Sequence, residues 1–330
     1  MASSSRCWAG MATVGLLLAA AWLAAVCEPV EGRCVVFEKV GQYADGGMAV
    51  AVLVVGEHVF LCEFDRGVAI LDASDPQNII RIAQLPGTAQ ARGIALGDHI
   101  AYVSCNVNGL KLLDIRDPAA PRYLGTYGDR NGDPHQFVLT NSVGYLTEWH
   151  GGLDIIDLSD PAAPRRLGEY RDNGYAFSVE VSGHLAYVTE YDSGLKIVDV
   201  SDPERPLLIG EQNNGGQTNA LHLVGATVYV ADKEQGLEII DVKDPTSPTL
   251  LGVFDAGAGT AGVRVVGDIA FVTHWERGLV AVDVRDPGNP VEIGSFFDGG
   301  RPNGLWVQGD LIYLADGDDG LEIIRFWVEE

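Results

Sequence analysis

The chain has 330 residues, 47% of them apolar and 21% charged, which suits a globular protein with a buried core and rules out a disordered chain. Acids outnumber bases 46 to 22, a formal charge of -24. Such a surface repels phosphate backbones, so nucleic acid is excluded as a partner, while cations and basic or polar partners remain open.

Residues 1–32 form the first element. One Arg precedes an uninterrupted apolar run from Trp8 to Cys27, with small residues near its end. This is the pattern of a secretory signal, and the run is also long enough to act as a membrane anchor if it is retained. Cys27 offers lipidation as an alternative, against which stands Val26 immediately before it. The expectation is an exported protein, periplasmic, extracellular or attached to the cell surface, touching membrane only through this segment. Once Cys7 and Cys27 are set aside, Cys34, Cys62 and Cys105 remain. That odd number leaves at least one thiol free or paired between chains.

Residues 33–330 read as one domain. The stretch "VVFEKVGQY" from Val35 to Tyr43 is a strand standing alone. From Gly67 onward the chain repeats itself. A Gly followed by an apolar residue recurs at Gly67, Gly109, Gly152, Gly194, Gly236, Gly278 and Gly320, at spacings of 42, 43, 42, 42, 42 and 42. Seven residues before each Gly stands an aromatic: Phe60, Tyr102, Tyr145, Tyr187, Tyr229, Phe271 and Tyr313. Each unit contains a strand such as "LAYVTE", a second such as "LKIVDV", an Asp-Pro turn, a third strand such as "PRRLGEY", and a fourth after a Gly-rich loop. Asp can hold its own turn and Pro ends a ladder. Four short strands per 42 residues describe a propeller blade, so the prediction is an all-β, seven-bladed β-propeller. The last unit supplies only three strands. The N-terminal Val35–Tyr43 strand is predicted to close the ring as the missing outer strand of that blade.

"LKIVDVSDP", "LEIIDVKDP" and "LKLLDIRDP", preceded by "AYVTE" or "VYVAD", resemble the LVIVD-repeat family of bacterial and archaeal exported and cell-surface proteins. The resemblance runs from about Val35 to the end, and the last copy, "LEIIRFWVEE", lacks the Asp-Pro turn. It implies fold and location. Its motif is structural and assigns no activity.

Function is therefore sought where the copies disagree. The recurring Asp72, Asp114, Asp157, Asp199, Asp241 and Asp283 are read as architecture. Two columns border the central channel on the loop face. The start of the inner strand reads Val50, Arg92, His135, Phe177, Asn219, Ala261 and Asn303. The end of the next strand reads Glu63, Cys105, Glu148, Glu190, Asp232, His274 and Asp316. Beyond the second column come Phe64, Trp149, Tyr191 and Trp275, rings suited to sugars or apolar ligand parts. The acids either brace their own blade's loops or form a shared rim for a cation or polar ligand. The candidate ligand-binding residues are Arg92, His135, Glu148, Trp149, His150, Glu190, Tyr191, His274, Trp275 and Asn303. The favoured reading is a binding module for a small polar or carbohydrate-like ligand or another surface protein. One alternative is a lyase, hydrolase or isomerase using His135, Glu148, His150 and His274, with His135, Glu148 and His150 as candidate ligands for a divalent metal. Another is a structural surface or adhesion component. GxSxG, P-loop, HExxH and CxxC signatures do not occur.

Overall fold

A computed structural model describes residues 32–128, 132–172, 174–213 and 215–330. Among these residues the chain forms 28 strands, from β1 (Cys34–Tyr43) to β28 (Leu321–Glu329), arranged as seven four-stranded antiparallel sheets. Each sheet is one blade, numbered here 1 to 7 from Ala49. In blade 4 the inner strand Ala176–Ser182 leads to Leu185–Glu190, then Gly194–Asp199, then the outer strand Leu207–Gln212.

The two middle strands of every blade are buried on both faces, because each sheet is stacked between two others. That is why "LAYVTE" and "LKIVD" are apolar almost throughout instead of alternating. The repeated aromatic fills the space between blades, and all seven are at most 7% exposed. Tyr187, for example, packs with Ile197 of its own blade and Leu221, Val228 and Ile240 of the next.

The conserved spelling of the repeat has local causes. The repeat glycine sits at positive φ, +76° at Gly194, in the hairpin joining the two middle strands. A side chain there would also meet the Gln212 carbonyl at 2.4 Å. Each recurring Asp caps its own turn: Asp199 Oδ1 accepts from the Ser201 amide at 2.9 Å, and Asp202 Oδ1 from the Glu204 amide at 3.2 Å. Asp72, Asp114, Asp157, Asp241 and Asp283 make the same bond two residues on. They are architecture, as the sequence suggests.

β1 pairs antiparallel with β28 from Cys34↔Glu329 to Tyr43↔Leu321, giving blade 7 its outer strand and closing the ring. Val35 and Phe37 enter the core shared with blade 6, where the Phe37 and Phe271 rings meet edge to face at 6.3 Å. Arg33 pairs with Asp268 at 2.7 Å, and the Lys39 ammonium lies between Asp298, at 2.7 Å, and Glu322. Cys62 and Cys105 are free thiols buried between blades 1 and 2, where burial raises the pKa of both. The signal or anchor expected in residues 1–32 lies outside the described residues, save for Gly32. Among the described residues no helix is long and apolar enough to cross a membrane.

Candidate functional site

The inner strands of all seven blades surround a cavity of about 460 Å3 on the ring axis. Its wall includes Val50, Arg92, His135, Phe177, Asn219, Ala261 and Asn303, the complete inner-strand column in which the copies disagree. Tyr191, Lys233 and Trp275 add the mouth. Arg264 and Trp306 lie three residues further along their strands, roughly 10 Å deeper at the usual strand rise.

His135 is 6% exposed and lies between two rings, 5.4 Å from Trp149 and 4.3 Å from Phe177. Burial, with the neighbouring Arg92 charge, pushes its pKa down to about 3, so the imidazole is neutral. Trp149 stacks in turn on Tyr175 at 5.0 Å and meets Tyr191 at 5.2 Å. His150 is exposed and meets Trp149 and Tyr175 edge-on, away from the cavity wall. Asn303 donates to the Ala49 carbonyl at 3.1 Å and accepts from the Trp275 indole at 3.3 Å. It ties blade 7 to its neighbours at the rim, and Asn219 reaches the Thr260 carbonyl in the same way.

The strand-end column behaves differently. Glu63, Cys105, Glu148, Glu190, Asp232, His274 and Asp316 are all at most 8% exposed and stand behind the wall. Each carboxylate is pressed against a glycine of the loop entering its blade. A Cβ on Gly174 would lie 2.2 Å from Glu190, and one on Gly216 2.1 Å from Asp232. Asp232 accepts from the amides of Glu234 and Gln235, both at 2.8 Å. His274 Nδ1 accepts from the amides of Glu276 and Arg277 at 3.1 and 3.2 Å, which assigns the imidazole proton to Nε2. Burial lowers the His274 pKa.

Three of these acids face a second carboxyl. Burial first, then the bond to Asp45 and its charge, push Glu63 up to about 8. Glu190 is pushed up to about 8 by burial and Asp172, and Asp316 to about 7 by burial and the charges of Asp298 and Asp319. Burial and the neighbouring Asp45 and Asp172 thus favour the protonated form of Glu63 and Glu190. Within the column, Asp232 and His274 brace the loops that follow them. His135, Glu148 and His150 do not gather their ligand atoms at one point. Among the described residues the group that does is Asp298, Asp316 and Glu322, beside which the Lys39 ammonium already stands.

Two residues of the wall escape a sequence reading that follows His and aromatics. Lys233 stands in the column of Phe64, Trp149, Tyr191 and Trp275, as its one cation. Its ammonium lies 5.3 Å from the Trp275 ring centroid and 5.9 Å from that of Tyr191. Arg264 lies 5.1 Å over Trp306 and 3.6 Å from Glu180, beside His222. Burial, with the Arg264 charge, pushes His222 down to about 4, and its Nδ1 accepts from the Val265 amide at 3.0 Å.

The sequence matches the model of the family described as LVIVD repeat seven times, at residues 46–83, 88–129, 144–172, 173–213, 215–256, 258–298 and 299–324. No curated protein matches the sequence. Among solved structures, virginiamycin B lyase from Staphylococcus aureus superposes with a TM-score of 0.72 at 12% identity, covering 88% of this chain and 99% of that one. A catalytically inactive variant of that lyase with quinupristin gives 0.71 at 11%, with the same coverages. The Cps50 (Swd1) β-propeller domain from Myceliophteria thermophila gives 0.69 at 12%, over 89% and 99%. At such identities the likeness is one of fold.

Proposed function

The chain belongs to the LVIVD-repeat family, and from that premise we propose that it is an exported binding module that takes a small ligand in the axial cavity. One observation carries the reading: the cavity is walled by an inner-strand column whose seven members differ in size, charge and polarity. Stacking blades does not require such variety, and the positions that stack them are nearly uniform. A cavity of about 460 Å3 falls within the ordinary range for small-molecule sites. Rings at the mouth offer flat faces for a sugar or another planar body.

Catalysis by His135, Glu148, His150 and His274 requires these groups to reach one substrate. Glu148 is packed under Gly132 and Gly151, His274 accepts loop amides, and His150 lies outside the wall. Binding is therefore the reading carried forward, with another surface protein at the same loop face as the competing partner. The test is a small-molecule screen by thermal shift on the purified protein. A ligand at a hundred times its Kd adds about 2.7 kcal/mol of stability. Its shift should vanish in Trp275→Ala. Hits whose shifts survive Trp275→Ala and His135→Ala alike would place the site elsewhere.

A further inference from the structure

Three charged side chains line the axial cavity, Arg92, Lys233 and Arg264, and all are cations. In a chain with 46 acids to 22 bases, the wall carries the opposite sign to the molecule as a whole. Two of these cations have an acid nearby. Arg92 Nε lies 3.8 Å from Asp133, and Arg264 Nη1 3.6 Å from Glu180. Lys233 differs: among the described residues no carboxylate comes within ion-pair distance of its ammonium. It is held instead by the Trp275 ring and by one hydrogen bond, donated at 3.3 Å to the Tyr191 hydroxyl. That hydroxyl spends its own proton on Gln217 Oε1, so its lone pair is left to face Lys233.

The physical consequence is a fixed positive charge at the mouth of the cavity. Ring faces attract a cation without cancelling its charge. An ammonium has three N–H donors, and Tyr191 takes one. Below it the wall is largely apolar, with Leu53, Ile94, Leu221 and Leu305 among its side chains. Arg92 and Arg264, elsewhere in the wall, each have an acid within 4 Å, so the cation left for a ligand's charge is the one at the mouth, and an uncharged body fits between the apolar side chains beneath.

We propose that the cavity binds a small organic anion, a carboxylate carried on a flat apolar body, with the carboxylate on Lys233 and the flat face against Trp275 and the wall. This rests on the axial cavity being the ligand site. It adds the sign of the ligand's charge and the residue that reads it. An ammonium–carboxylate hydrogen bond at a partly desolvated site is among the stronger polar contacts, so loss of the charge on either side costs at least about tenfold in affinity.

The test is isothermal titration of the full chain with three probes of one shape: naphthoate, naphthamide and naphthylmethylammonium. Naphthoate should bind at least about tenfold more tightly than the other two. Lys233→Gln should erase that preference and Lys233→Arg should keep it, with folding checked by thermal melting. If the neutral or cationic probe binds as tightly as naphthoate, and Trp275→Ala weakens that binding, the anion assignment is overturned while the axial site stands. If none of the probes binds, or binding ignores both Lys233→Gln and Trp275→Ala, the anion assignment and the axial site fall together.

Discussion

Replacing Phe37 with Ala tests ring closure without deleting any backbone. Phe37 belongs to β1, which crosses from one end of the sequence to complete the blade made by the other. Its ring is 0% exposed, lies edge to face with Phe271 at 6.3 Å, and shares its core with Ile269, Leu279 and Ile324. Truncating a buried Phe forfeits the transfer of its ring and leaves a cavity, together about 3–5 kcal/mol. Phe297 is an internal control, since it is 53% exposed and its replacement by Ala should stay within about 0.5 kcal/mol. Urea unfolding of the three proteins, compared at equal m, reads both values. Weakened closure also bares the edge of β28, so Phe37→Ala should aggregate at concentrations where the parent stays soluble. A cost no larger than that of Phe297→Ala would refute the closed ring, because β1 would then contribute no core.

Tyr187→Ala should cost about 3–5 kcal/mol in the same assay, as Tyr187 is 5% exposed between two blades, whereas exposed His150→Ala should cost little; equal costs would contradict the stacking. Glu63 has a folded pKa of about 8, above its unfolded value, so the native state favours the protonated form and stability falls as pH rises from the usual carboxyl range through about 8. Glu63→Gln supplies a permanent donor to Asp45 and should flatten that fall between neutral and alkaline pH; an unchanged slope would show that the proton is not shared there. His135 titrates near 3, so naphthoate affinity should show no histidine transition between about pH 5 and 7. Mass spectrometry of the protein from its own host should find a chain without the apolar run from Trp8 to Cys27, or one lipidated at Cys27. An unmodified chain starting at Met1 in the cytoplasm would contradict export.

The blade count and its closure were legible because each is written as a period. Gly194 needs its left-handed turn, Tyr187 its place between sheets and Asp199 its capped turn, and a ring demands each of them again 42 residues on. The wall of the cavity was legible for the same reason, since equivalent positions in a ring must face one axis. Side-chain direction was harder to read. Glu190 and Asp232 end strands beside the channel, yet Gly174 and Gly216, each sixteen residues upstream, turn them into the loops by letting the backbone approach. Whether an acid meets solvent or a neighbouring loop depends on that approach, which strand position alone does not encode. Lys233 was obscured by its context. Tyr191 lies 42 residues before it and Trp275 42 after, so its two rings come from adjacent blades. One period in sequence is one step around the ring, and that step creates the bracketed cation.

We propose that the repeats supply a scaffold and that binding occurs on the axis, where the repeats differ. The most direct measurement is a crystal structure of the protein with the tightest ligand from the screen. The predicted result is density in the axial cavity, against Trp275 and His135, with a polar group of the ligand on Lys233. Density on the outer strands or between the Asp-Pro turns, with the axial cavity holding solvent alone, would contradict it.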